Sequence, residues 1–266
     1  MRFDYHIHTP LCHHATGHPR EYVKQGLASG LSEIGFSDHN PMPTQFDNWR
    51  MAPDELPAYF QLIDEAREDF PDFPIRLGLE CDFIPGQEDH LRSIAARTGW
   101  DYLIGAVHYI REDWDVDSPF KRNLWKELPV DEVWKRYFSL YTRAASSGLF
   151  DFMAHPDLVK KFGDFPAGDL KPYYTECLDA IADCKIAIEL NTAGLRKDVK
   201  EIYPSREFLA MAFARDIPIL INSDAHAPQE VAAGFDLAIQ LALDVGYTHL
   251  TRFEKRVPIP VPLIQL

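Results

Sequence analysis

Apolar runs rich in β-branched and aromatic residues recur along the chain at 3–8, 33–39, 75–83, 102–110, 151–155, 185–191 and 217–224. The stretches between them carry apolar residues at helical spacing, as in Tyr59, Leu62, Ile63 and Ala66, or Val133, Tyr137, Leu140 and Tyr141. Short β-rich runs argue strands and three-to-four spacing argues amphipathic helices, so seven strands alternating with helices predict parallel βαβ units and an α/β fold. Ser205 is a suitable N-cap for a helix over 206–215, and Gly246 a suitable terminator for one beginning near Glu230. Segments 41–53 and 112–129 read as long ordered loops. The last segment, 257–266, holds three prolines and reads as a surface tail, too proline-rich for a helix or a central strand.

No linker, repeat or low-complexity block divides the 266 residues, so a single domain over 1–266 is expected, with 46% hydrophobic content to fill its core. No apolar stretch approaches the roughly 20 residues that a membrane-spanning helix needs, and the chain opens with Arg2 and Asp4 rather than a basic then apolar leader. The four cysteines form no CxxC pair, which fits reduced thiols in a soluble cytoplasmic enzyme. A formal charge of −14 disfavours nucleic-acid binding and requires a local positive centre if the substrate is an anion.

The candidate chemistry sits at the ends of the strands. His6 and His8 end the first, His39 the second, Glu80 lies near the end of the third, His108 ends the fourth, His155 the fifth, and Asp224 and His226 the seventh. In a parallel barrel these ends converge on the face that carries active sites. Residues two apart on a strand share a side, so His6 and His8 both point inward, and Asp224 and His226 repeat the spacing. Imidazole and carboxylate ligands suit zinc, iron or manganese. Taken alone, a strand-end histidine such as His108 or His155 is more often a hydrogen-bonded structural residue than a ligand. Six of the seven strands supplying a candidate at the same end is what favours a metal cluster.

Through His6-Ile7-His8-Thr9-Pro10, Phe36-Ser37-Asp38-His39, Gly78-Leu79-Glu80-Cys81-Asp82, Gly105-Ala106-Val107-His108, Ala154-His155-Pro156-Asp157, Glu189-Leu190-Asn191-Thr192-Ala193-Gly194-Leu195-Arg196 and Asn222-Ser223-Asp224-Ala225-His226, the chain resembles the polymerase and histidinol phosphatase (PHP) superfamily, in its histidinol-phosphatase branch. The resemblance implies a distorted (β/α)7 barrel of TIM-like type holding up to three divalent metals. It implies that His6, His8, Glu80 and Asp224 bind one metal, that Glu80 bridges to a second held by His108 and His155, and that His14, His39 and His226 bind the third. His14 is preferred to His13 because the family pattern places a ligand six residues after the second histidine. The implied reaction is hydrolysis of L-histidinol phosphate, a step of histidine biosynthesis, with Glu80 and Asp224 at the catalytic centre and Arg196, His14 and His39 meeting the substrate. Arg196 offers planar bidentate contact to phosphate. Three divalent ions would bring six positive charges against two carboxylates, a cationic pocket inside an acidic protein.

Asp38 and Asp157 read as residues that orient neighbouring ligands. His90 and His249 lie away from strand ends and read as surface histidines; His13 and His18 lie in the loop after the first strand. Cys12 and Cys81 adjoin ligands but read as small packing residues. Trp114-Asp115-Val116-Asp117 reads as a polar loop within reach of a substrate amine or imidazole. Two rival functions remain: a PHP-type phosphodiesterase or exonuclease, disfavoured by the acidic composition, and a metal-binding module without turnover, disfavoured by the full ligand set.

Overall fold

The computed structural model describes residues 1–97 and 99–263. Two parallel sheets form its centre. The first runs β1 (Phe3–Asp4), β2 (Glu33–Phe36), β3 (Ile75–Leu77). The second contains β4 (Glu80–Asp82), β5 (Ile104–Ala106), β8 (Phe152–Met153), β9 (Ala187–Asn191) and β10 (Ile219–Asn222), in the order β10-β9-β8-β5-β4. Isolated parallel bridges link strand extensions of the two sheets, Ile7 with Ala225 and His39 with Glu80. The helices between them are α1 (Pro19–Ala28), α2 (Leu56–Asp69), α3 (Glu88–Ala95), α4 (Val130–Ala145), α5 (Lys171–Cys184), α6 (Arg206–Phe213) and α7 (Phe235–Val245). Ser205 caps α6 by accepting from Phe208 N at 3.3 Å, and Gly246 closes α7. Among the described residues no helix is long and apolar enough to cross a membrane.

The predicted strand over 75–83 is split into β3 and β4. A side chain at Gly78 would collide with the Tyr102 ring, so only glycine lets that ring pass through the gap. Tyr102 is fully buried, stacks on Tyr5 at 5.0 Å and donates its hydroxyl to the Tyr5 carbonyl at 2.6 Å. These aromatics form a floor beneath the strand ends, each contributing on the order of 1.5–3 kcal/mol of burial. The run at 102–110 also divides: β5 ends at Ala106, and β6 (Tyr109–Arg111) leaves the sheet to form an antiparallel hairpin with β7 (Trp114–Asp115). Part of the predicted loop over 112–129 is therefore a strand.

The predicted tail is likewise a hairpin through residue 262, β11 (His249–Glu254) with β12 (Val257–Pro262); 264–266 lie outside the described residues. Its prolines are tolerated because a two-stranded ribbon leaves half of its amides unpaired. Arg252 reaches Glu33 at 3.3 Å, Arg256 reaches Asp151 at 2.9 Å, and Phe253 stacks on Phe152 at 5.5 Å. The hairpin thus covers the strand starts, leaving the opposite end open.

Candidate metal centre

Glu80 is the hub. Buried to 1% exposure on β4, it divides the histidines between its oxygens. Oε1 lies 3.0 Å from His155 Nε2 and 3.7 Å from His108 Nε2; Oε2 lies 2.9 Å from His39 Nδ1, 3.3 Å from His6 Nε2 and 3.6 Å from His8 Nε2. Asp224 Oδ1 sits 3.3 Å from His8 Nε2, 3.4 Å from His226 Nδ1 and 3.8 Å from His6 Nε2. The His14 ring lies 4.6 Å from that of His226 and 5.4 Å from that of His39. All nine predicted ligands therefore gather at one end of the strands. His13, one residue before His14, turns away instead, with Nε2 3.9 Å from Glu55. Its positive φ of 64° makes the bend that returns His14 to the cluster.

His6 and His8 lie past the end of β1 at Asp4, flanking the isolated bridge residue Ile7. Asp224 and His226 flank the other bridge residue, Ala225, after β10 ends at Asn222, and Asp224 takes a left-handed φ of 51°. The turn is fixed from outside, since Ala225 N donates to the His6 carbonyl at 3.1 Å and His8 N to the Ala225 carbonyl at 3.0 Å. His155 has a positive φ of 22° as well.

Surrounding carboxylates orient the rings. His108 Nδ1 donates to Asp82 Oδ1 at 2.6 Å and His6 Nδ1 to Glu189 Oε1 at 2.8 Å, which leaves each Nε2 lone pair facing Glu80. Glu189 also accepts from His155 N at 3.0 Å, Asn191 Nδ2 at 2.9 Å and Asn222 Nδ2 at 2.8 Å. Arg50, itself buried, holds Asp82 at 2.8 Å. Asp38 accepts from His39 N at 2.8 Å and lies 3.5 Å from His8 Nδ1, as an orienting residue should. Asp157 does not take the expected part: it accepts from Lys160 Nζ at 3.0 Å and Ser205 N at 2.8 Å and touches no ligand. Glu189 and Asp82 escaped the sequence reading, although a carboxylate within each apolar strand run was a visible signal.

Burial opposes charge on Glu80, yet His6, His39 and His155 hold its carboxyl well below the usual range, and His6 and His8 do the same for Asp224. Burial, reinforced by His8 and His108, pushes His39 down to about 4, and burial with His8 also lowers His226. Against burial, Glu189 and Glu80 push His6 up, Asp224 and Asp38 push His8 up, and Asp82 raises His108 to about 10, so without an ion these rings share protons with the carboxylates, protons that a divalent cation would displace. Several buried atoms here, His6 Nε2, both ring nitrogens of His8, His39 Nδ1 and Glu80 Oε2, have no aligned hydrogen-bond partner. Such orphans cost about 1–3 kcal/mol each unless coordinated, so the donor set fits divalent ions. His6, His8 and Glu80 offer atoms within one coordination sphere, as do His39, Glu80 and His108, and His8, His39 and His226.

A cavity of about 780 Å³ opens above the cluster. Its lining includes Lys121, Lys161 and Lys197, the carboxylates of Asp47, Glu112, Asp113, Asp115 and Asp117, and Trp49 and Tyr109 stacked at 5.8 Å; Lys161 Nζ pairs with Asp117 Oδ2 at 2.8 Å. Lys197 has no carboxylate within ion-pair distance among the described residues. Burial and the neighbouring Lys161 lower its pKa. Asp115 Oδ1 is buried without a partner, and burial with Asp117 nearby raises its carboxyl to about 6. Arg196 does not line the cavity. Its Nη2 donates to the carbonyls of Ser223 at 2.8 Å and Asp224 at 3.1 Å, and its Nε faces Glu230 at 3.2 Å. Of the other set-aside histidines, His18 caps α1, His90 donates to the Pro41 carbonyl at 2.8 Å, and His249 is exposed at the start of β11.

Residues 4–193 match the PHP domain family. A Deinococcus radiodurans protein named "probable histidinol-phosphatase" is 42% identical over 96% of this chain and 98% of its own length. The Bacillus subtilis histidinol-phosphatase is 29% identical over 89% of this chain and 98% of its own. The crystal structure of the Lactococcus lactis histidinol phosphate phosphatase, complexed with zinc, L-histidinol and phosphate, superposes with a TM-score of 0.84 over 97% of this chain and 98% of that one, at 21% identity, which speaks for the fold. The chain belongs to the PHP domain family and groups there with the histidinol-phosphatases.

Proposed function

We propose that the protein is a metal-dependent phosphomonoesterase that hydrolyses L-histidinol phosphate to L-histidinol and phosphate. The observation that carries this reading is the cavity's mixed lining: the buried ligand cluster with Lys161 and Lys197 for an anion, and the unpartnered Asp115 carboxylate with the Trp49–Tyr109 stack for a cationic ring. A substrate with a phosphate at one end and an amine and imidazole at the other matches it. The named relatives support the same substrate.

In this reading His6, His8, Glu80 and Asp224 hold one ion, Glu80 bridges to a second held by His108 and His155, and His14, His39 and His226 hold a third. Zinc, iron and manganese all suit these donors. When bound, such ions supply Lewis acidity toward phosphoryl oxygens and an activated water. The chain's own groups then divide the labour. Lys161 and Lys197 meet the phosphate and Asp115 accepts the substrate's cationic end, while Asp82, Glu189 and Asp38 fix the imidazoles. Arg196, expected to meet the phosphate, we assign instead to holding the Asp224 turn through two carbonyls. His14 and His39 at the cavity wall are within reach of both ion and substrate. A single domain closed as a distorted (β/α)7 barrel is the finer architecture we infer, supported by one continuous core and by the bridges joining the two sheets.

The test compares phosphate release from histidinol phosphate, from a phosphate ester of a neutral alcohol, and from single-stranded DNA, with metal content measured on the same sample. Histidinol phosphate should be preferred by at least tenfold in kcat/KM. Equal rates on the neutral ester would remove Asp115 from recognition, and no release with zinc or manganese restored would favour a binding module.

A further inference from the structure

Cys12 lies in the site without a part in it so far. It ends a short 3-10 turn, Pro10–Cys12, whose N-cap Thr9 is bound to Asp38, and it is fully buried. A sulfur kept for packing faces carbon. The Cys12 Sγ instead shares a space with nitrogen: its atom, one ring nitrogen of His14 and one of His226 all lie within 4.8 Å of one another. The same holds for Cys12, His8 and Asp38. His14 Nδ1 donates to the Cys12 carbonyl at 2.7 Å, which leaves its Nε2 as the ligand atom. His8 is fully buried, and neither ring nitrogen has an aligned hydrogen-bond partner. Ala15 N donates to the sulfur at 3.3 Å, a contact that favours a thiolate.

We propose that Cys12 is a thiolate ligand of the outer metal position, alongside His14 and His226. Ligand atoms of a tetrahedral zinc site with bonds of about 2.0–2.3 Å stand roughly 3.5 Å apart, so modest side-chain closure converts the observed spacing into a coordination shell. The thiol proton passes to solvent as the sulfur–metal bond forms. A soft sulfur in this position selects zinc or ferrous iron over manganese there, while the all-imidazole and carboxylate positions around Glu80 keep their breadth. The inference rests on the reading of the cluster as a metal centre.

Metal-stripped protein titrated with cobalt(II) tests it. The wild type should develop a near-ultraviolet sulfur-to-cobalt charge-transfer band in addition to visible d–d bands. Cys12→Ser should lose the charge-transfer band and keep most of the visible ones, whereas Cys81→Ala should keep both. If Cys12→Ser does not fold, X-ray absorption of the zinc-loaded wild type decides, through a sulfur shell near about 2.3 Å. Bound cobalt without a charge-transfer band, a band that survives in Cys12→Ser, or a zinc spectrum with no sulfur overturns Cys12 as a ligand and leaves the phosphatase reading intact. A protein that binds no cobalt overturns the metal centre itself.

Discussion

Asp82→Asn isolates the contribution of a residue that touches neither substrate nor ion. Its Oδ1 accepts from His108 Nδ1 at 2.6 Å and its Oδ2 from Arg50 at 2.8 Å. The amide keeps an oxygen for His108 but loses the charge that makes the ring a stronger ligand. Outer partners of this kind are worth about 10–100-fold in metal affinity, which is about 1.4–2.7 kcal/mol. Arg50 retains Asp47, whose Oδ2 lies at 2.8 Å from its Nε, so the fold loses one charge-assisted bond, about 1.5–3 kcal/mol, rather than the full penalty of an orphaned buried cation. Competition against a chromophoric chelator reads the first quantity, and urea unfolding of metal-stripped protein reads the second. In a double variant with His108→Gln the affinity loss should not exceed that of His108→Gln alone, because Asp82 acts through that ring. Additive losses, or unchanged metal affinity beside a destabilised fold, would refute the argument.

Glu80→Gln should lower kcat at least about a thousandfold with a folded protein by circular dichroism, since both halves of the cluster face that carboxylate; near-normal turnover in a metal-replete sample would contradict a bridge. Lys197→Met should raise KM for histidinol phosphate about tenfold and leave metal content unchanged, as expected of a cation that meets only the phosphate. Asp115 is anionic at pH 7 and takes up a proton as pH falls through about 6, so the wild-type KM should climb below that pH. Asp115→Asn should already show the high KM at pH 7 and change less on acidification; parallel profiles for the two would exclude Asp115 from recognition.

The strand-helix alternation and the positions of His6, His8, His39, Glu80, His108 and His155 were legible in the sequence because a parallel sheet sends every strand end to one face, whatever the tertiary details. Local signals such as the Ser205 cap and Gly246 stop were equally direct, since a cap depends on its neighbours within one turn. Three matters needed the folded chain. The Gly78 break depends on a ring 24 positions away. The approach of Asp224 and His226 depends on a left-handed turn pinned by the first strand. Lys197 and Asp115, which line one cavity, come from segments after different strands, and nothing in either segment's sequence says what it will face. Composition and periodicity record what each segment prefers alone; the polarity of a cavity is a property of pairs of segments, set only when long-range packing brings them together.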